Sequence, residues 1–199
     1  MFPYDSHKEQ WAFSRSGQDF DEKEIWVQLL EKAWAKIYGS YQRIEAGDIG
    51  EAFTTLTGAP THMFNHEDYS DDPEKLWKFL ETGDSRGYLM TTAVASGSDA
   101  KYDSKGNQVS SGSTGLVDAH AYSIIAAVEV NLGSKSTTLG MFSLPESERL
   151  VLIRNPWGFR EWSGDWSDSS ELWQIYPHAK KTIEKALTDR AISLGQDAK

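Results

Sequence analysis

The helical period that runs through residues 21–83 gives way near Gly87 to strand-forming runs, and a chain with that order has few folds open to it. In "DEKEIWVQLLEKAWAKIYG" (21–39), Trp26, Leu29, Leu30, Ala33, Trp34 and Ile37 recur at helical spacing. Asp21 and Glu24 read there as a capping pair and Gly39 as the stop. "DIGEAFTTLTG" (48–58) repeats the capping pattern with Asp48 and Glu51. "DPEKLWKFLETG" (72–83) places Pro73 at the first helical position after Asp72 and predicts an end at Gly83.

The strand candidates follow as "GYLMTTAVAS" (87–96), "HAYSIIAAVEV" (120–130), "TTLGMFSL" (137–144) and "RLVLIRN" (149–155). Short polar turns separate the last three, a spacing that suits an antiparallel sheet. The stretch from Gly97 to Gly115 has Gly, Ser, Asp and Lys without apolar period, and predicts a long exposed loop. Loops of that length are often functional. "HAKKTIEKALTDRA" (178–191) predicts a final helix.

Charge narrows the function. A net charge of −10 and a pI near 4.9 argue against nucleic acid as a partner, because phosphates call for basic patches. No run is long and apolar enough to span a bilayer, and the N-terminus lacks a basic-then-apolar signal. The absence of cysteine excludes a disulfide framework, and the expected setting is the cytoplasm. Eight tryptophans imply large buried packing surfaces or an exposed recognition face, and core packing is the reading for Trp26, Trp34 and Trp77.

Among five histidines, His62 and His66 stand four apart, but Pro60 and Asn65 make their segment a loop and no third metal ligand is evident. His7 and His178 lie in polar surroundings and read as surface residues. His120 opens an apolar strand beside the long loop, where a titratable ring is well placed for acid–base work. A satisfied histidine in a sheet fits the same position. Asn155 closes another strand 35 residues downstream, and antiparallel neighbours can bring the two together. An amide oxygen accepting from imidazole fixes the ring without adding charge, which suits a cysteine nucleophile. Trp157 can lie over that bond and exclude water.

"GLVDAHAYSI" and "LIRNPWGFREWSGDWSDSSELW" resemble the histidine and asparagine signatures of the calpains, intracellular cysteine proteases. "AFSRS", the 24–58 segment and "GYLMTTAVAS" fall in the same order as in that family, so the resemblance covers nearly the whole chain. It implies a papain-like arrangement of two subdomains around a cleft. The first carries the cysteine, and the second carries the histidine, the asparagine and a shielding tryptophan. Residues 1–199 resemble the second half, for which the expected fold is α+β, an antiparallel, barrel-like sheet with flanking helices and the Trp26–Ile37 helix packed against it. Either the sequence is truncated at its C-terminus or the family's later segment is absent. His120 would be the base, Asn155 its orienter and Trp157 the cover. Ala119 stands where the family usually has glycine, beside a carbonyl that would contact the substrate backbone.

The resemblance further implies calcium. Glu161 and Asp168 match two acidic ligands of the second subdomain's site, but Ca²⁺ takes about six to eight oxygens. The family's remaining ligands lie near a later "DGxFW" segment, which does not occur before "LGQDAK". The implied partners are the cysteine-bearing subdomain of the same parent chain and protein substrates. The implied activity is calcium-dependent endopeptidase cleavage, and this chain alone is expected to be inactive. The alternative is a calpain-like protein that has lost its cysteine and serves as a binding or scaffold protein. Without the other half, the cleft wall bearing His120 is expected to be exposed, and the His120–Asn155 pair is free to drift apart.

Overall fold

A computed structural model describes residues 3–7, 10–12, 14, 25–95, 101–102, 108–109, 115–133, 147–158 and 161–193. The chain divides into two compact units, residues 1–63 and 64–199.

In the first unit, strands β1 (Tyr4–Asp5) and β2 (Gln10–Trp11) form a short antiparallel ladder. Helix α1 (Trp26–Tyr38) ends at Gly39, whose φ of 97° is a left-handed stop that glycine adopts without a Cβ penalty. Its N-cap position is Ile25, without a side-chain cap, and the expected Asp21–Glu24 pair lies outside the described residues. A 3₁₀ turn (Tyr41–Ile44) leads to α2 (Ile49–Thr57), where Asp48 accepts from the Glu51 N–H at 2.7 Å as its sequence predicts. The Tyr38 hydroxyl donates to Glu51 and ties α1 to α2. That hydrogen bond, the largest of several influences, holds the phenol above its ordinary pKa.

The expectation that Trp26 is a core residue is overturned. Trp26 is 62% exposed, and Leu29, Leu30 and Ile37 on the same stripe are exposed too. The inward side of α1 instead carries Gln28 and Ala35, with Glu31 accepting from both the N–H and the hydroxyl of Ser14. Helical period had identified a face correctly and assigned it the wrong surroundings.

In the second unit, α3 (Pro73–Ser85) starts after Asp72, whose side chain accepts from the Lys75 N–H. It does not stop at Gly83. That glycine is buried within the last turn, and a Cβ there would lie 2.6 Å from the Met90 sulfur. Gly83 therefore admits a neighbouring side chain instead of ending the helix.

Strands β3 (Met90–Val94), β6 (His120–Asn131) and β7 (Ser147–Arg154) form a three-stranded antiparallel sheet with β6 central. Within the 97–115 stretch, β4 (Lys101–Tyr102) pairs with β5 (Gln108–Val109), a small ladder inside the predicted loop. The expected strand at 137–144 lies outside the described residues. After β7 come α4 (Leu172–Ile175) and α5 (Pro177–Ser193), and both α3 and α5 pack on β6. Arg190 on α5 meets Asp84 on α3 at 2.6 Å. Buried Tyr122, Ala126, Ala127, Val130, Val117 and Ala179 place the core along β6 and at the start of α5. This is the expected α+β arrangement, with a three-stranded antiparallel sheet and helices packed on it. No helix among the described residues is long and apolar enough to cross a membrane.

Candidate active site

Asn155 is fixed first by its own neighbours. In Asn155–Pro156–Trp157–Gly158 the Gly158 N–H donates to the Asn155 carbonyl at 3.1 Å, closing a turn with proline at its second position. Gly158, at φ 70°, carries the chain out of the turn. The Trp157 N–H donates to Asn155 Oδ1 at 3.0 Å, so the side chain caps the same turn. Asparagine followed by proline thus holds its amide oxygen through contacts within its own turn.

A β-bulge decides which face that amide joins. Ser123 stands opposite Arg154 and Ile124 opposite Ile153, yet Ala126 stands opposite Leu152, leaving Ile125 as an extra residue on β6. Side chains directly across an antiparallel ladder share a face, and the face alternates with each residue. With the bulge, the ladder continued past Arg154 sets Asn155 opposite Tyr122, on the face that Tyr122 shares with His120. Without it, Asn155 would stand opposite Ser123, on the far face.

His120 Nε2 and Asn155 Oδ1 are 2.8 Å apart. The pair therefore meets, contrary to the expectation that it would be free to drift. The hydrogen-bond pattern fixes the proton. A backbone N–H can only donate, so the Asn155 atom facing Trp157 is oxygen, and His120 Nε2 must be the donor to it. In the neutral ring, Nδ1 is then the basic nitrogen. Asn155 is 4% exposed, and its amide is stabilised there by these bonds.

Two aromatic rings flank the imidazole. Trp157 lies with its ring centroid 4.3 Å from that of His120 at a 44° tilt. Its outer side is exposed. Tyr122 meets His120 edge to face at 4.9 Å and 85°. Tyr122 was missed in the sequence, although its spacing of two from His120 on a strand already placed both on one face. His7, His62, His66 and His178 are all exposed.

Ala119 is exposed and left-handed, at φ 50°, a conformation that favours glycine. Its methyl therefore carries a backbone cost of about 1 kcal/mol immediately before His120. Gly115, at φ 83°, lies so close to the Glu161 carbonyl that a Cβ would sit 2.2 Å from that oxygen. The segment leading to His120 is thus seated on the backbone of the tryptophan-rich stretch.

That stretch is held largely by its indoles. Trp162 Nε1 donates to the Asp165 carbonyl and Trp173 Nε1 to the Ser167 carbonyl, both at 2.7 Å. Trp166, itself left-handed at φ 61°, packs against Trp173 and Tyr176. Glu161 and Asp168 are exposed, and among the described residues no three His, Cys, Asp or Glu side chains gather to hold a metal. Two exposed carboxylates do not fit Ca²⁺ as a cage, which requires several more oxygens.

The model of the family described as calpain family cysteine protease matches residues 2–192. Calpain-5 of Caenorhabditis elegans is 32% identical over 76% of this chain and 24% of its own length. Calpain-8 of Rattus norvegicus is 32% identical over 83% of this chain and 21% of its own. The calpain-type cysteine protease ADL1 of Oryza sativa subsp. japonica is 34% identical over 76% of this chain and 6% of its own. The chain therefore spans a quarter or less of the length of these curated relatives.

Proposed function

The chain belongs to the calpain family of cysteine proteases, and from that premise we propose that it supplies the histidine and asparagine of a Cys-His-Asn triad in an endopeptidase. The observation that carries this reading is the 2.8 Å bond from His120 Nε2 to Asn155 Oδ1, which leaves Nδ1 as the base. The chain contains no cysteine, so the thiol comes from the other subdomain of the parent protein. Residues 1–199 are read accordingly as the histidine- and asparagine-bearing half.

Nδ1 of His120 takes the proton of that thiol, and the thiolate attacks the carbonyl of a peptide bond in a protein substrate. The resulting imidazolium keeps its Nε2–H on the neutral Asn155 oxygen, so no carboxylate competes with the thiolate for it. His120 then gives its Nδ1 proton to the departing amine, leaving a thioester. It next deprotonates the water that hydrolyses the thioester. Trp157 keeps solvent off the His120–Asn155 bond throughout. Ala119 contacts the substrate backbone beside the base. Glu161 and Asp168 contribute to a calcium site only if other donors complete it, and no step of the chemistry depends on them. A cytoplasmic setting suits a chain of this family.

In the parent protein, His120→Ala should lower cleavage of a fluorogenic peptide on the order of a thousandfold, and the 199-residue chain alone should cleave nothing. Unchanged cleavage by the His120→Ala parent would sink the triad reading. A parent that lacks a cysteine at the nucleophile position and cleaves nothing would leave the scaffold alternative.

A further inference from the structure

Tyr122 touches both the base and the segment that delivers it. The residue is 3% exposed, and its ring meets the His120 imidazole edge to face. Its hydroxyl accepts from the Val117 N–H at 2.8 Å, in a buried bond spanning the turn that precedes His120. Val117 is itself buried. Between them lies left-handed Ala119, in a backbone conformation that needs holding.

We propose that Tyr122 is a positioning residue for His120, fixing the ring on one side and closing the 117–119 turn on the other. The proposal rests on the triad reading for its catalytic consequence, but not for its geometry. Two contacts of different kinds meet in one side chain. Without the hydroxyl, the Val117 N–H is a buried donor without its partner, and the turn opens more often. Without the ring, the imidazole loses its edge-to-face neighbour and keeps its contacts with Asn155 and Trp157. Either change lets His120 leave its bond to Asn155 for longer.

The test compares Tyr122→Phe, which removes only the hydroxyl, with Tyr122→Leu, which removes both contacts. The readout on the 199-residue chain is the ¹⁵N-resolved NMR signal of the His120 Nε2–H and its exchange with water. Tyr122→Phe should keep the signal with exchange about tenfold faster, and Tyr122→Leu should broaden it away. A merely structural tyrosine would lower the denaturation midpoint and leave that proton unchanged in the folded molecules. Should Tyr122→Leu not fold, the near-isosteric Tyr122→Phe decides. Exchange equal to that of the unaltered chain overturns the proposal. In the parent, kcat should fall with KM nearly unchanged, with Tyr122→Phe falling less than Tyr122→Leu. NMR changes as expected in a parent that cleaves no peptide would uphold the positioning role while removing the protease reading.

Discussion

Helix α1 and strand β6 both carry a clear apolar pattern, and they treat that pattern in opposite ways. β6 buries its apolar residues, with Val130 fully inaccessible and Ala126 nearly so, between paired strands and the helices that pack on it. α1 turns Trp26, Leu29, Leu30 and Ile37 to the exterior and buries Gln28 instead. A strand finds its neighbours through backbone bonding that the chain supplies itself. A helix satisfies its own backbone, so its apolar face can stay without a covering neighbour. The same kind of sequence signal therefore carries different weight in the two elements.

Substitutions sharpen the contrast. The largest effect is expected at Gly115, beside the site: Gly115→Ala combines a positive φ with a clash against the Glu161 carbonyl and should cost on the order of 3 kcal/mol in urea unfolding. Backbone faces backbone there, so no side-chain rotation relieves it. In β6 itself, Val130→Ala should cost about 2 kcal/mol by the same measurement, through lost burial and the cavity left behind. A cost near zero at Val130 would break the claim that β6 is the centre of the core.

A pH series probes the ties around the sheet. Arg149 on β7 grips the Glu74 carboxylate with two nitrogens, at 2.6 and 2.8 Å, and also lies over the Trp77 ring. The Arg149 hydrogen bond is the main cause of the lowered Glu74 pKa. A carboxylate with a lowered folded pKa contributes stability above its ordinary pKa and loses it as pH falls through the lowered value. The midpoint difference between the unaltered chain and Glu74→Gln should accordingly be present at neutral pH and disappear on acidification through that window. The pair is exposed, so the difference should be small and shrink in salt. A difference independent of pH would refute the ion pair as its source.

On α1 the smallest effect is expected. Trp26→Ala and Ile37→Ala should each change the unfolding free energy by less than about 0.5 kcal/mol in this chain, because the side chains are already in water. A loss comparable to that at Val130 would show that the exposed stripe is covered in solution and erase the contrast.

Much of the site was legible. The strand-mouth position of His120 and the strand-end position of Asn155 were read from residue type and pattern, because alternation and turn chemistry act over a few residues, while the roles proposed for them and for Trp157 came from the likeness to calpains. The Asn155–Trp157 turn is local in the same sense. What escaped were contacts that only the folded chain displays. Tyr122 became visible only when its hydroxyl met Val117, five residues back across a turn. Gly83 read as a stop because the sequence does not show that Met90 needs its space.

By itself, then, the sequence determined the order of helices and strands and the likeness to calpains, and it singled out His120 and Asn155 as candidates. Those follow from local periods and short motifs. The tertiary structure alone decided that the two residues meet. One extra residue, Ile125, shifts the β6–β7 register by one, and in a sheet a shift of one moves a side chain to the other face. It also decided that α1 shows its apolar stripe outward, because period defines a face and only the surrounding chain determines whether that face is covered.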